Sequence, residues 1–169
     1  MLLPNPTPNT NYIFNEQILV GWYPGGDSNN LSKILSTGRD VFVNLTEQKE
    51  IDAFGDYRLT VRETSPECLF LNYPIRDSNI PVDLTSFNDF VSRLYELYQA
   101  KKKFYIHCRG GHGRTGIVCA CLLMRMGYTA DQALDEVMKA HRTRENLPDY
   151  PSPETQEQRD FVKNFAAVL

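Results

Sequence analysis

The segment over residues 104–126 constrains the fold of this chain more than any other. A short apolar run, Phe104-Tyr105-Ile106-His107, passes through Cys108-Arg109-Gly110-Gly111-His112-Gly113-Arg114 into a second apolar stretch that starts at Thr115. The first run is aromatic and β-branched and reads as a buried strand. The second, continuing to Met126 with Gly127 as its stop, is long enough to be a helix. Glycines between them allow a turn tight enough to join the two directly. A strand feeding a buried helix through such a turn is a building unit of α/β folds.

The rest of the chain repeats the alternation. Residues 12–20 read as one strand, Gly21-Trp22-Tyr23-Pro24-Gly25-Gly26 as a turn, and Asp27 or Ser28 as the cap of a short helix ending at Ser36. Residues 39–45 and 68–73 are short apolar strands, the second closed by Pro74. The segment 46–56 reads as a loop with at most one helical turn, and 57–66 fits no single element. From Asp83 the period changes: Leu84, Phe87, Phe90, Val91, Leu94, Leu97 and Tyr98 fall at helical spacing, with Asp83 as cap. Lys101, Lys102 and Lys103 follow as a solvated helix end, where cations suit the dipole. Residues 130–140 and 154–168 read as two more helices. The fold expected is a single α/β domain over 12–169, with a central, mainly parallel β-sheet flanked by helices, after a Pro/Asn/Thr-rich lead-in over 1–11.

At 169 residues the chain has room for one substantial core. Its formal net charge of -3 gives no general attraction for nucleic acid or membranes, so any attraction for an anion must be local. No run approaches the length of a membrane span, and the start lacks the basic and apolar regions of a signal peptide. Four cysteines without framework spacing point to a reducing compartment. A cytoplasmic location is expected, with the nucleus as the alternative.

The glycine-rich turn carries the chemistry. A thiolate, not a thiol, is the nucleophile, and three features favour an anion at Cys108. Gly110, Gly111 and Gly113 let backbone N–H groups converge in front of the sulfur. The helix that follows aims its positive end at the same point. Arg114, six residues beyond the cysteine, adds a fork that matches two oxygens of a phosphate. The same donors would stabilise a phosphoryl group during transfer. Thr115 can set its hydroxyl against the sulfur and help it leave. His107 reads either as a brace pointing away from the pocket or as an ordinary strand-end histidine. The string lacks the Gly-Lys-Ser/Thr of a nucleotide-binding loop. His107, Cys108 and His112 lack a fourth ligand at zinc spacing, so no metal and no cofactor are expected.

His107-Cys108-x-x-Gly111-x-Gly113-Arg114-Thr115-Gly116 at a strand-to-helix junction resembles the signature of the cysteine-dependent protein tyrosine phosphatase superfamily. At this length the chain resembles its small dual-specificity members over about residues 12–165. The resemblance implies a cysteinyl-phosphate intermediate and an aspartic acid on a separate upstream loop, between a strand and a helix. Asp77 fits that place and would protonate the leaving group, then activate water. The alternative for Asp77 is a turn residue; Asp83 competes for the role but serves as a cap. The segment Ser152-Pro153-Glu154-Thr155-Gln156-Glu157-Gln158 resembles one in which a glutamine helps position water, with Gln158 the first choice and Gln156 the second. Arg142 and Arg144 either support the loop and a second anionic group or make structural ion pairs. Cys68, Cys119 and Cys121 read as core thiols, and the resemblance allows a reversible disulfide from Cys68 to Cys108 as the alternative for Cys68. Asn44 and Glu47 are further candidates to line the pocket.

Arg109 and His112 bear on the substrate. Phosphoinositide phosphatases of this superfamily carry lysines at these two places, whereas a histidine is only partly charged at neutral pH. The Lys-Asn-Arg-Tyr string of larger tyrosine-specific enzymes is absent. The substrate expected is a phosphorylated protein, on tyrosine and on serine or threonine, or a small phosphorylated molecule. Inositol phosphates or phosphoinositides are the alternative, an RNA 5′-phosphate lies further off, and a non-catalytic phosphate-binding module is the other class.

Overall fold

The computed structural model of the chain describes residues 3–169, which form five strands and seven α-helices around one sheet among the described residues. The strands are β1 (Thr10–Ile13), β2 (Ile18–Gly21), β3 (Val41–Asn44), β4 (Leu69–Asn72) and β5 (Phe104–His107). Their order across the sheet is β1-β2-β5-β3-β4, and all pairings but β1 with β2 are parallel. The mainly parallel α/β sheet expected from the alternation is therefore present. The helices are α1 (Ser28–Leu35), α2 (Gln48–Phe54), α3 (Arg58–Thr64), α4 (Leu84–Gln99), α5 (Gly113–Arg125), α6 (Ala130–His141) and α7 (Gln156–Phe165), closed by a 3₁₀ turn, Ala166–Val168.

Period-two alternation splits the strand side chains between two cores. Val20, Val43 and Ile106 face the larger cluster with α4 to α7, while Leu19, Phe42 and Tyr105 face the smaller one with α1 to α3. Helix α5 is apolar on every side because α4, α6 and α7 all pack on it, and each residue from Gly113 to Met124 is buried. Truncating one of its aliphatic side chains, Ile117 for example, would cost about 2–5 kcal/mol.

The sequence reading departs from the structure in the first strand and in the segment after β3. Residues 12–20 are not one strand: Phe14, at φ 67°, breaks the run into the hairpin of β1 and β2. The first strand also starts at Thr10, inside the expected lead-in, of which Met1 and Leu2 lie outside the described residues. The segment 46–56 holds a full helix, α2, and 57–66 holds α3. Both are short and polar, so their apolar period is too brief to read.

Register places Cys68 and Cys108 at opposite ends of the sheet. Leu69, Val41 and Phe104 pair at one end, and Asn72, Asn44 and His107 at the other. Cys68 lies one residue before the first level and Cys108 one residue beyond the last. Five rises of about 3.3 Å therefore separate them along the strands, roughly 16 Å, against about 4.4–6.8 Å between the Cα atoms of a disulfide. The Cys68–Cys108 pairing is incompatible with this fold. All four cysteines are free and buried.

Candidate active site

Strand β5 is central, and the loop over 108–112 leaves its C-terminal end to enter α5. Each carbonyl of that loop is held by a donor outside the turn. Cys108 O accepts from His107 Nδ1 at 3.0 Å, and Arg109 O from the Tyr23 amide at 2.9 Å. Gly110 O and Gly111 O accept from the two terminal nitrogens of Arg144, at 2.9 and 2.8 Å. His112 O accepts from Ser152 Oγ at 2.7 Å and from the Gly116 amide at 3.1 Å. In a planar trans peptide the N–H points opposite to the preceding C=O. Five carbonyls turned outward therefore aim the amides of residues 109–113 inward, as a nest for an anion at the start of α5. The amides of Arg109, Gly110, Gly111 and His112 have no acceptor among the described residues.

Gly111 is required by this arrangement. Its φ is +72°, and a Cβ there would stand 2.5 Å from Gly21 O in β2.

Arg114 is 1% exposed, and its two terminal nitrogens are held from behind and from the side while Nε has no partner among the described residues. Glu50 takes both terminal nitrogens at 2.9 Å, Ile75 O takes one at 2.9 Å, and Asp77 Oδ1 lies 3.2 Å from Nη2. Burial works against the Arg114 charge, but Glu50, Cys108 and Asp77 outweigh it and its pKa is raised. Burial likewise works against the Glu50 carboxylate, and the Arg114 hydrogen bonds more than offset it, so its pKa is lowered. Glu50 is the third residue of α2, in a capping box with Glu47. That Glu-x-x-Glu pattern is the local sequence signal for it. Neither Asn44 nor Glu47 lines the cleft over the loop. Asn44 Oδ1 instead fixes Thr46 through its amide and its hydroxyl, at 2.8 and 2.6 Å.

The remaining candidates fall around the same loop. Cys108 is 4% exposed, and Thr115 Oγ1 is buried with no hydrogen-bond partner among the described residues. Asp77, on the loop after β4, is exposed apart from its contact with Arg114. His107 points away from the turn. Because Cys108 O can only accept, Nδ1 carries the hydrogen, and Nε2 accepts from the Tyr57 hydroxyl at 2.6 Å. Burial pushes the His107 pKa down to about 3. Gln158 is buried, its Oε1 accepting from the Glu154 and Thr155 amides and its Nε2 donating to Asn79 O at 3.1 Å. It thus ties α7 to the Asp77 loop, and a Cβ on Gly113 would lie 2.9 Å from its amide. Gln156 is exposed and donates to Asp160 along α7. Arg142 is exposed, 3.9 Å from Asp149. Arg144 makes no ion pair among the described residues: beyond the loop carbonyls it donates to Asn11 Oδ1 at 2.6 Å.

A cleft of about 780 Å³ opens over the loop, lined by Arg109, Gly110 and His112, by Asp77, and by the aromatic and apolar side chains of Trp22, Phe54, Leu147 and Tyr150. Arg109 lies across the Phe54 ring at 5.0 Å. The arrangement can seat a tetrahedral dianion between a sulfur, five amides and a guanidinium, with a carboxyl group at its outer side.

A parallel α/β sheet with a cysteine–arginine anion nest at its central strand defines a cysteine-dependent phosphatase domain. The family model described as Swiss Army Knife protein, DSP-PTPase phosphatase domain matches residues 9–162, and the chain belongs to that family. It is 29% identical over 164 residues to the putative tyrosine phosphatase 067L of Invertebrate iridescent virus 3, covering 91% of this chain and 64% of that protein. The chain thus spans under two thirds of that relative's length. Among solved structures, Tk-PTP in its active form is similar with a TM-score of 0.74 at 26% identity, covering 96% of this chain and 99% of that one. PTPMT1 in complex with PI(5)P shares the fold, with a TM-score of 0.73 at 15% identity, covering 94% of this chain and 95% of that one.

Proposed function

We propose that this chain hydrolyses phosphate monoesters in two steps through Cys108, acting on proteins phosphorylated on tyrosine and on serine or threonine. The observation that carries the reading is the set of five outward-held loop carbonyls, which leaves five inward amides and Arg114 around one point beside the sulfur. In the first step the Cys108 thiolate attacks phosphorus. The S–P bond forms, the P–O bond to the leaving group breaks, and Asp77 gives its proton to the departing oxygen. In the second step water attacks phosphorus and passes a proton to the Asp77 carboxylate. The S–P bond breaks and inorganic phosphate leaves. Thr115, whose buried hydroxyl is free to donate, stabilises the departing sulfur. Gln158, packed between Gly113 and the Asp77 loop, has a second amide hydrogen with which to hold the water.

The nest and the guanidinium supply the positive field that a metal ion would otherwise provide, so the reaction runs without one. Cys108 must stay reduced to act, which fits a cytoplasmic or nuclear setting for a chain whose four cysteines are free. No helix among the described residues is long and apolar enough to cross a membrane. The breadth of the cleft supports more than one kind of phosphorylated side chain. The test is hydrolysis of an aryl phosphate with a chelator present. Wild type turns over, Cys108→Ser does not, and activity surviving that substitution would overturn the reading.

A further inference from the structure

His112 occupies a loop position where a cation would favour multiply phosphorylated substrates, yet its surroundings fix it as something else. His141 Nδ1 lies 3.1 Å from Pro148 O, and a carbonyl only accepts, so that nitrogen carries a hydrogen. A neutral His141 then presents Nε2 as an acceptor, and His112 Nδ1, 2.7 Å away, must donate to it. Burial, with Arg144 close by, lowers both rings, His112 to about 3 and His141 to about 4. His112 is therefore neutral with a bare Nε2. That nitrogen sits above Gly110, where a Cβ would come within 2.8 Å of it, and the ring lies against Tyr150 at 4.5 Å in the wall of the cleft.

The rest of the cleft agrees with an acceptor rather than a cation at this point. Besides the acid Asp77, its lining carries two carboxylates, Asp27 and Glu154, against one exposed arginine, Arg109. Arg114 is matched by Glu50 behind the loop. A second phosphate on the substrate would meet a lone pair and a net negative rim. A neutral N–H beside the scissile phosphate would meet an oriented acceptor. Trp22, Phe54, Leu147 and Tyr150 offer apolar surface suited to a peptide side chain rather than to a polyhydroxylated ring.

We propose that His112 Nε2 is a fixed hydrogen-bond acceptor that selects singly phosphorylated peptide segments, taking a main-chain N–H next to the phosphorylated residue and disfavouring a second phosphate there. This rests on the phosphatase reading above. The relay through His141 to Pro148 holds the tautomer, so the selection is built into the fold rather than set by pH near neutrality.

The experiment compares kcat/KM for a singly phosphorylated peptide, the same peptide N-methylated in turn at each amide flanking the phosphorylated residue, its doubly phosphorylated form, and inositol mono- and polyphosphates. An aryl phosphate serves as reference. In wild type, one N-methylation should cost about tenfold, the loss of one buried hydrogen bond. His112→Ala should erase that penalty, and His112→Lys should shift the ratio toward the doubly phosphorylated peptide by about tenfold. No penalty at any amide, or an equal penalty in His112→Ala, overturns the proposal. Faster turnover of inositol phosphates than of the peptide overturns the peptide as the source of the donor. Nitrogen NMR of the wild-type imidazoles gives a reading independent of variant folding: His112 Nε2 should be bare at pH 7, and a proton there overturns the assignment. Failure of wild type to hydrolyse the aryl phosphate would instead sink the phosphatase reading itself.

Discussion

Glu50 accepts both terminal nitrogens of Arg114 at 2.9 Å, so the arginine that would clamp phosphate is oriented before any ligand arrives. Preorganisation of this kind removes an ordering cost from the bound state. Glu50→Gln keeps the shape but not the charge or the paired acceptors. Its kcat/KM on an aryl phosphate should fall about ten- to hundredfold, the scale of a charge-assisted hydrogen bond. A wild-type value would mean that Ile75 O and Asp77 suffice to hold the guanidinium.

Asp77 meets Arg114 from the open side and is otherwise solvated. If it protonates the leaving group, Asp77→Ala should lower kcat by about 10²–10⁴. The deficit should be larger for alkyl phosphates, whose leaving oxygens need a proton, than for nitrophenyl phosphate. An equal deficit for both would remove Asp77 from the acid role.

Arg144 holds two of the five loop carbonyls. Arg144→Met fills much of the same volume but releases them. The loop should then bind inorganic phosphate about tenfold more weakly, read as the inhibition constant against an aryl phosphate. An unchanged constant would show that Tyr23, Ser152 and His107 keep the amides inward without it.

The chain has three histidines, His107, His112 and His141, and in the fold all three are lowered by burial, to about 3, 3 and 4. The sign follows from linkage. Above the ordinary value of 6.5, both folded and unfolded states leave them neutral and they contribute no pH dependence. Below it the unfolded chain takes up protons that the folded one refuses, so stability falls as pH falls toward the folded values. His107 and His141 are buried, while His112 is half-buried and partly screened by water, so unfolding at pH 5 should take up roughly one to three protons from histidine. Urea melts between pH 7 and 5 measure it, and a flat unfolding free energy over that window would contradict it.

The strand β5, its loop and helix α5 were legible because their signals are local: an apolar strand, glycines and an apolar helix within one stretch. Asp83 and Asp27 were legible as caps for the same reason, each accepting from amides two or three residues on. The partners that fix the loop were not. Glu50 lies 64 residues from Arg114, Tyr57 lies 50 from His107, and Ser152 lies 40 from His112. No local pattern links such pairs; the sheet order does, by bringing the ends of β3 and β5 together. The sequence leaves Arg144 between supporting a loop and ion pairing, because the carbonyls and the amide that it meets carry no pattern a sequence displays.

Gly111 stands 2.5 Å from Gly21 O at the place of its absent Cβ, and Gly113 is hemmed by Gln158. The turn therefore has little latitude for change without moving β2 or α7. Arg109 and His112 are the positions in it whose side chains reach the cleft. Anyone redesigning this chain for a new phosphate ester would find the turn itself closed to variation. The workable library is a two-letter word at 109 and 112, extended outward into the residues of the rim.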